Sequence, residues 1–390
     1  MRHFHPKKQN LFSRLSLSRP RHHQPQGKPD YFLIGLIFGI VIFGLIMLSS
    51  ASIVKSYQKN GSSYYFFWHQ VVNGLIPGLI LFFILSRINY LKWEKFSVWF
   101  FGASLLLLIL VFAPFIGQTI NKARSWISFF GLFPIQPAEI VKLLLILALA
   151  GWFSHRGREK NRDFWNGLIP FALLFALVSI LVILQPDLGT LLILLTIGLA
   201  VYFVAGADFK HLLILGSAGV LALGIMIKAA SYRADRLTTF INPGFDPQGI
   251  GYHINQALLA VGSGGIFGLG FGQSRQKFAY LPEAMGDSIF AVIAEELGFI
   301  FGLALIAAFL LMAWRGWKLC QKIPDDYGRY VVVGIISWFV FQAFFNIAAM
   351  INLMPLTGVP MPFVSYGGSA LAACLAGAGI LASISRQARP

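Results

Sequence analysis

The stretch 168-LIPFALLFALVSILVILQPDLGTLLILLTIGLAVYFVAG-206 carries a single charged side chain, Asp187. Two apolar runs, 168-184 and 188-206, flank the tripeptide 185-QPD-187. An α-helix needs about 20 apolar residues to cross a hydrocarbon core of roughly 30 Å, and each run is close to that length. The Pro-Asp between them punctuates the pattern as a turn. The stretch therefore reads as a hairpin of two membrane-crossing helices.

Working outward, the same reading gives ten candidate spans, at 31-54, 66-85, 97-115, 138-154, 168-184, 188-206, 211-229, 287-313, 330-352 and 369-385. Only 12% of residues are charged and 57% are hydrophobic, far from the roughly one-quarter charged average of soluble domains. Short alternating segments of a membrane β-barrel are absent, so the expected fold is an all-α polytopic bundle of about ten transmembrane helices. Residues 1-30 read as a disordered basic tail, 31-386 as the membrane domain and 387-390 as the end of the chain, with a long outer loop, 230-286, between the seventh and eighth helices. The first span is too long and too poor in small residues at its end for a cleaved signal, and reads as a retained anchor. Cys320 and Cys374 offer no disulfide framework.

The formal net charge is +16, which in a soluble protein would suggest nucleic acid. Its distribution argues otherwise. If the N-terminus is cytoplasmic and the loops alternate, the cytoplasmic side holds seven Lys and Arg of the tail, Arg87, Lys92, Lys95, Arg156, Arg158, Lys160, Arg162, Lys210, Arg315, Lys318, Lys322, Arg329, Arg386 and Arg389. That asymmetry is the positive-inside pattern, and it places both termini in the cytoplasm.

Basic residues remain for the outer face, together with most acids that are not cytoplasmic. Lys122, Arg124 and Lys142, joined by Arg233, Arg236, Arg275 and Lys277 from the long loop, form a candidate basic cluster for an anionic lipid head group. Glu139 and Lys142, at i,i+3, could equally neutralise each other. Asp187 is either a helix cap or a substrate contact. The loop contains turn chemistry at Asn242-Pro243-Gly244, a short amphipathic helix expected near 249-262 with Gln256 inside it, and six glycines between 262 and 272. The glycines are not a nucleotide loop, because no strand precedes them; close backbone approach to a neighbour explains them better.

The segment 281-LPEAMGDSIFAVIAEELG-298 holds three acids at the head of a span. Asp287 reads as an N-cap and, at the mouth of a cavity, as a general base whose partial desolvation raises its basicity. Glu295 and Glu296 lie about 12–13 Å further along a straight helix and point away from Asp287, so structural pairing with a neighbour is expected. His69 and His253 are isolated, and no spacing supports a zinc site.

The segments NKARSWI, QPAEIVKL, QPDLGT, 236-RLTTFINPGFDPQGIGYHINQALLAVGSGGIFGLGFGQSRQKFAYLPEAMGDSIFAVIAEELGF-299 and GVPMPFVSYGGS resemble, in order and spacing, the signature of the SEDS family, which serves shape, elongation, division and sporulation. The basic N-terminal extension, QSRQKFAYLPEA and DPQGIGY resemble the division branch most. The resemblance implies a peptidoglycan glycosyltransferase with ten helices in the bacterial plasma membrane, at the division site. It would polymerise lipid II into the nascent glycan strand at the outer face, with inversion at the anomeric carbon. Its implied partners are a class B penicillin-binding protein and other divisome membrane proteins, with no nucleic acid. The family's presumed catalytic aspartate falls on Asp287, and its charged motif positions fall on Arg124, Glu139, Lys142, Asp187 and Lys277. Lys122, Arg233, Arg236, Gln256 and Ser365 complete the expected substrate contacts. A divalent cation, Mg2+ or Mn2+, is the candidate cofactor, with its ligands unassigned. Alternative readings are a lipid II flippase, for which Glu295 and Glu296 would line the path, and a non-catalytic scaffold. Met285, Gly286 and Ser288 stand where the family commonly has His-Thr before the aspartate and Phe after it, so the carboxylate is expected to act without an adjacent imidazole.

Overall fold

A computed structural model describes residues 27–120, 123–129, 132–228 and 231–388; residues 1-26 of the expected tail lie outside them. Two local signals set the ends of the first helix. Asp30 accepts a hydrogen bond from Leu33 N (3.1 Å) and caps α1 (Tyr31–Asn60), and Gly61, in the left-handed region at φ 66°, terminates it. In α2 (Tyr65–Arg87) and α5 (Phe164–Leu184), one π-helical turn precedes Pro77 and Pro170 respectively. The wider turn relieves the contact that proline, lacking an N–H, makes with the preceding turn.

The remaining helices are α3 (Ser97–Leu110), α4 (Pro137–Arg156), α6 (Leu188–Val204), α7 (Phe209–Lys228), α8 (Ser231–Ile241), α9 (Tyr252–Ser263), α10 (Ile289–Lys322), α11 (Asp326–Met350) and α12 (Gly368–Ser385). Among the described residues seven of these are long and apolar enough to cross a membrane: α1, α2, α4, α5, α10, α11 and α12. The apolar helices α3, α6 and α7 are the shorter ones at the other expected spans. In α4 and α12, 78% of the most apolar stretch is buried and in α11 67%, against 28% in α2 and α10. The first three therefore form the centre, and the others present one face to lipid.

Both ends of the described chain lie together. Gly27 N donates to Arg386 O (2.7 Å), Asp30 N to Ser385 Oγ (3.0 Å), and Arg315 Nε to Asp30 Oδ2 (2.7 Å). Contact between the two ends fits an even number of crossings.

Three features depart from the expected pattern. Between α3 and α4 the chain forms an antiparallel meander, β1 (Gly117–Ile120), β2 (Ala123–Phe129) and β3 (Leu132–Ile135), in the order β1-β2-β3, rather than an irregular loop. The long outer loop carries α9, as expected, and also α8, which was not.

The third departure decides where the acids sit. Helix α10 is broken at Gly298, whose φ of 77° and ψ of −174° cannot belong to a helix. Across the break Phe299 N and Ile300 N donate to Gly265 O (2.9 Å) and Ile266 O (3.3 Å), while Glu295 O and Glu296 O accept from Leu269 N and Gly270 N (both 2.9 Å). The glycine-rich segment thus takes the place of the missing helical turn and pairs with four backbone groups at the break. An added Cβ on Gly298 would stand 2.3 Å from Gly268 N, and one on Gly264 1.9 Å from Ala294 O. The glycines exist for this approach. Residues 289-296 are buried on every side, whereas 299-301 are exposed. The 24 residues after the break, about 36 Å of helix, span by themselves. Glu295 and Glu296 therefore lie at the head of the span and not deep within it.

Candidate active site

Asp287 sits in the turn that leads into α10. It is not the cap: Ser288 occupies the N-cap position. Three backbone contacts fix this turn. Tyr366 N donates to Met285 O (2.8 Å), Ser365 Oγ to Gly286 O (2.7 Å) and Asn346 Nδ2 to Asp287 O (2.7 Å). Asn346 Nδ2 also donates to Val359 O (2.8 Å), so one amide ties the turn to the segment after α11. Gly358, at φ 70°, approaches from that segment; a Cβ there would stand 3.8 Å from Asp287 Oδ2.

The carboxylate itself is half-buried. Its Oδ1 is enclosed and has no hydrogen-bond partner among the described residues. Burial first, then the neighbouring Glu283 carboxylate, push the Asp287 carboxyl up to about 7, against the pull of Arg236. Arg236 Nη1 donates to Leu356 O (3.0 Å), and Glu283 meets Lys55 at 3.5 Å. A carboxylate poised near neutrality, rigidly carried and with an idle oxygen, can accept a proton from a substrate hydroxyl.

Several residues expected to touch substrate are engaged by other parts of the protein, Lys277 first among them. Its ammonium is buried and spends its three protons on Glu296 Oε1 (2.8 Å), Ser50 Oγ (2.9 Å) and Gly272 O (2.7 Å). The four oxygens of Glu295 and Glu296 all accept: Ser274 Oγ, Arg275 N and Gln276 N serve Glu295, and Ser50 Oγ, Lys277 Nζ, Gly272 N and Ser274 N serve Glu296. The pairing expected for these two acids is therefore present.

Lys142 is likewise closed. Its Nζ lies 2.7 Å from both Glu139 Oε1 and Gln342 Oε1 and 5.1 Å from the Trp338 ring centre. Both members of the pair are 1% exposed, so the self-neutralising reading of Glu139 and Lys142 holds. Asp187 caps α6, accepting from Thr190 N (2.9 Å) and Thr190 Oγ1 (2.7 Å). Ser365, buried, accepts from Met361 N and donates to Gly286 O, so it positions the turn. Arg124 is half-buried, with Nη2 donating to Phe112 O (3.0 Å) and Ala113 O (3.1 Å) beyond the end of α3. Gln256 is half-buried on α9. Lys122 and the side chain of Arg233 lie outside the described residues.

Other residues of the site were missed by sequence reasoning. Trp338, Gln342 and Asn346 recur every four residues on one face of α11, where Gln342 Nε2 also holds Pro360 O (2.7 Å). That polar stripe in an apolar helix was a readable signal. His253 is not isolated: its Nε2 lies 2.6 Å from Ser288 Oγ, so α9 delivers an imidazole to the residue beside the aspartate. Among the described residues no three His, Cys, Asp or Glu converge.

The chain matches the cell cycle protein family of FtsW, RodA and SpoVE over residues 31–390. It is 40% identical over 362 residues to stage V sporulation protein E of Bacillus subtilis (strain 168), covering 93% of this chain and 98% of that one. It is 38% identical to a probable peptidoglycan glycosyltransferase FtsW of Thioalkalivibrio sp. (strain K90mix), covering 89% and 86%. Among solved structures, one from a peptidoglycan synthase complex that coordinates polymerization and crosslinking superposes with TM-score 0.75 at 31% identity, over 92% of this chain and 98% of that. The rod shape determining protein RodA of Thermus thermophilus superposes with TM-score 0.68 at 31% identity, over 93% and 98%.

Proposed function

The chain belongs to the FtsW/RodA/SpoVE family, and from that premise we propose that Asp287 is the general base of a peptidoglycan glycosyltransferase that polymerises lipid II at the outer face of the plasma membrane. In this reaction the 4-hydroxyl of the acceptor lipid II loses its proton to Asp287. The oxygen attacks the anomeric carbon of the growing strand, undecaprenyl pyrophosphate departs with the bonding pair, and that carbon inverts. The observation that carries the assignment is the enclosed, unpartnered Oδ1 of a carboxylate pushed up to about 7. A base with that affinity is unprotonated often enough at neutral pH to act, and holds the proton well enough to take it.

The leaving pyrophosphate needs positive charge. With Lys277 and Lys142 committed to Glu296 and Glu139, Arg124, Arg236 and the exposed Arg275 are the cations of the expected cluster, among the described side chains, left to provide it. A divalent cation carried in on the pyrophosphate would add charge neutralisation of the leaving group.

The transport reading rests on Glu295 and Glu296, and their four oxygens are all taken by fixed donors near the head of α10. That favours polymerisation. The proposed setting is a multi-pass protein of the bacterial plasma membrane with both termini cytoplasmic, acting at the division site beside a class B penicillin-binding protein that supplies the crosslinking activity. The sporulation relative makes the developmental division septum the alternative venue. The purified chain, with and without such a partner, should convert labelled lipid II to polymer. Polymer persisting in Asp287→Ala would sink the base assignment, and lipid II movement across liposomes without polymer under any condition would restore transport.

A further inference from the structure

The turn that carries Asp287 is also held from the side by two residues to which the chemistry above gives no role. Ser288 Oγ, fully buried, lies 2.8 Å from Pro282 O and 2.6 Å from His253 Nε2. A hydroxyl has one proton to give, and a carbonyl can only accept. The Ser288 proton therefore goes to Pro282 O, and the imidazole must supply the other: Nε2–H donates to Ser288 Oγ. The chain Nε2–H to Oγ–H to O=C closes the turn 282-288 across its base and anchors it to α9.

We infer that His253 is a positioning residue for Asp287, fixing through Ser288 the turn that carries the carboxylate. This rests on Asp287 being the base. Within this turn Ser288 N donates to Glu283 O (3.3 Å), and the backbone N–H groups of Asp287 and Ser288 beside the Asp287 carboxylate favour its ionised form. A turn that slackens loses those contacts, and the carboxylate then holds its proton to higher pH.

The charged groups around Asp287 come from three elements. They are Glu283 on the same turn, Arg236 on α8, and Lys55 on α1, which meets Glu283. Asn346 from α11 and Gly358 from the following segment complete the surroundings and do not titrate. His253 itself is neutral in the working range, since burial pushes it down to about 4. Its contribution is a fixed donor and not a titrating charge.

The test is lipid II polymerisation by the full chain from about pH 5 to about pH 9 for His253→Leu, His253→Gln, Ser288→Ala and Asp287→Ala, each checked for fold by its melting midpoint. In His253→Leu and Ser288→Ala, kcat should fall about tenfold with KM within about twofold, and the acid limb of the rate profile should move to higher pH. His253→Gln, whose amide N–H can reach the same oxygen, should recover most of the rate and the original limb. An unmoved limb in both His253→Leu and Ser288→Ala, with Asp287→Ala inactive, overturns the positioning role alone, as does a Gln variant as impaired as Leu at equal stability. Polymer from Asp287→Ala overturns the base assignment instead. If His253→Leu does not fold, Ser288→Ala and His253→Gln decide.

Discussion

Replacing Lys277 by Met separates a buried structural cation from a substrate contact. The Lys277 and Glu296 side chains are 1% and 0% exposed, and the ammonium makes three hydrogen bonds, to Glu296, Ser50 and Gly272. Removing one partner of such a pair leaves a buried, uncompensated charge and costs about 3–5 kcal/mol. In a chain of this length each kcal/mol moves the melting midpoint by ~2 °C, so Lys277→Met should melt about 6–10 °C lower in detergent. Glu296→Gln should lose a similar amount. The double variant, in which neither charge remains, should be less destabilised than the sum by about 2 kcal/mol or more. Measured well below both midpoints, Lys277→Met should still polymerise lipid II at a rate within a few-fold of the parent. A variant with an unchanged midpoint and abolished polymerisation would refute the structural reading and return Lys277 to the substrate.

Other consequences can be measured in the same preparations. Because the folded Asp287 carboxyl is held near 7, above its ordinary 3.8, its contribution to stability is present below about pH 4 and is lost as pH rises through about 7. Asp287→Asn should therefore melt higher than the parent at pH 8, by on the order of 2 kcal/mol, with the gap closing toward pH 4. The acid limb of kcat/KM in the parent should fall near pH 7, and Arg236→Gln should shift it upward, since Arg236 pulls the other way. Gly298→Ala must displace backbone 2.3 Å away while holding φ 77°, and should lose 3 kcal/mol or so, or fail to assemble, as judged by monodispersity on size exclusion. Gly358→Ala, at φ 70° beside Asp287 Oδ2, should cost about 1 kcal/mol of stability but reduce turnover more than that loss implies.

The spans were legible because hydrophobic length is a local property. All ten expected stretches are helical, and 168-206 became α5 and α6 on either side of Asp187. What escaped was set by contacts distant in sequence. The run 289-322 reads as one long helix, and only the approach of Gly264 and Gly268 to Gly298 shows why it must break. The strands at 117-135 are held by pairing across the meander. In the site, Asp287 could be found from its place at the head of a span. Lys277 and Lys142 misled because a basic residue on an outer segment looks the same in sequence whether it meets a phosphate or a carboxylate 19 or three residues away. His253 looked solitary because its partner Ser288 lies 35 residues on.

The break in α10 also imposes an order in time. The glycine-rich segment and Lys277 emerge from the translocation machinery before Glu295 and Glu296, and their carbonyls, amides and ammonium stay wet until α10 arrives. Only then can Ser50, left waiting on the first helix, meet Lys277 and Glu296 together. The outer domain can thus be locked only near the end of biogenesis, when the eighth crossing closes on the first. A chain halted before residue 296 would carry the whole 230-286 loop in place yet have nothing to fasten it.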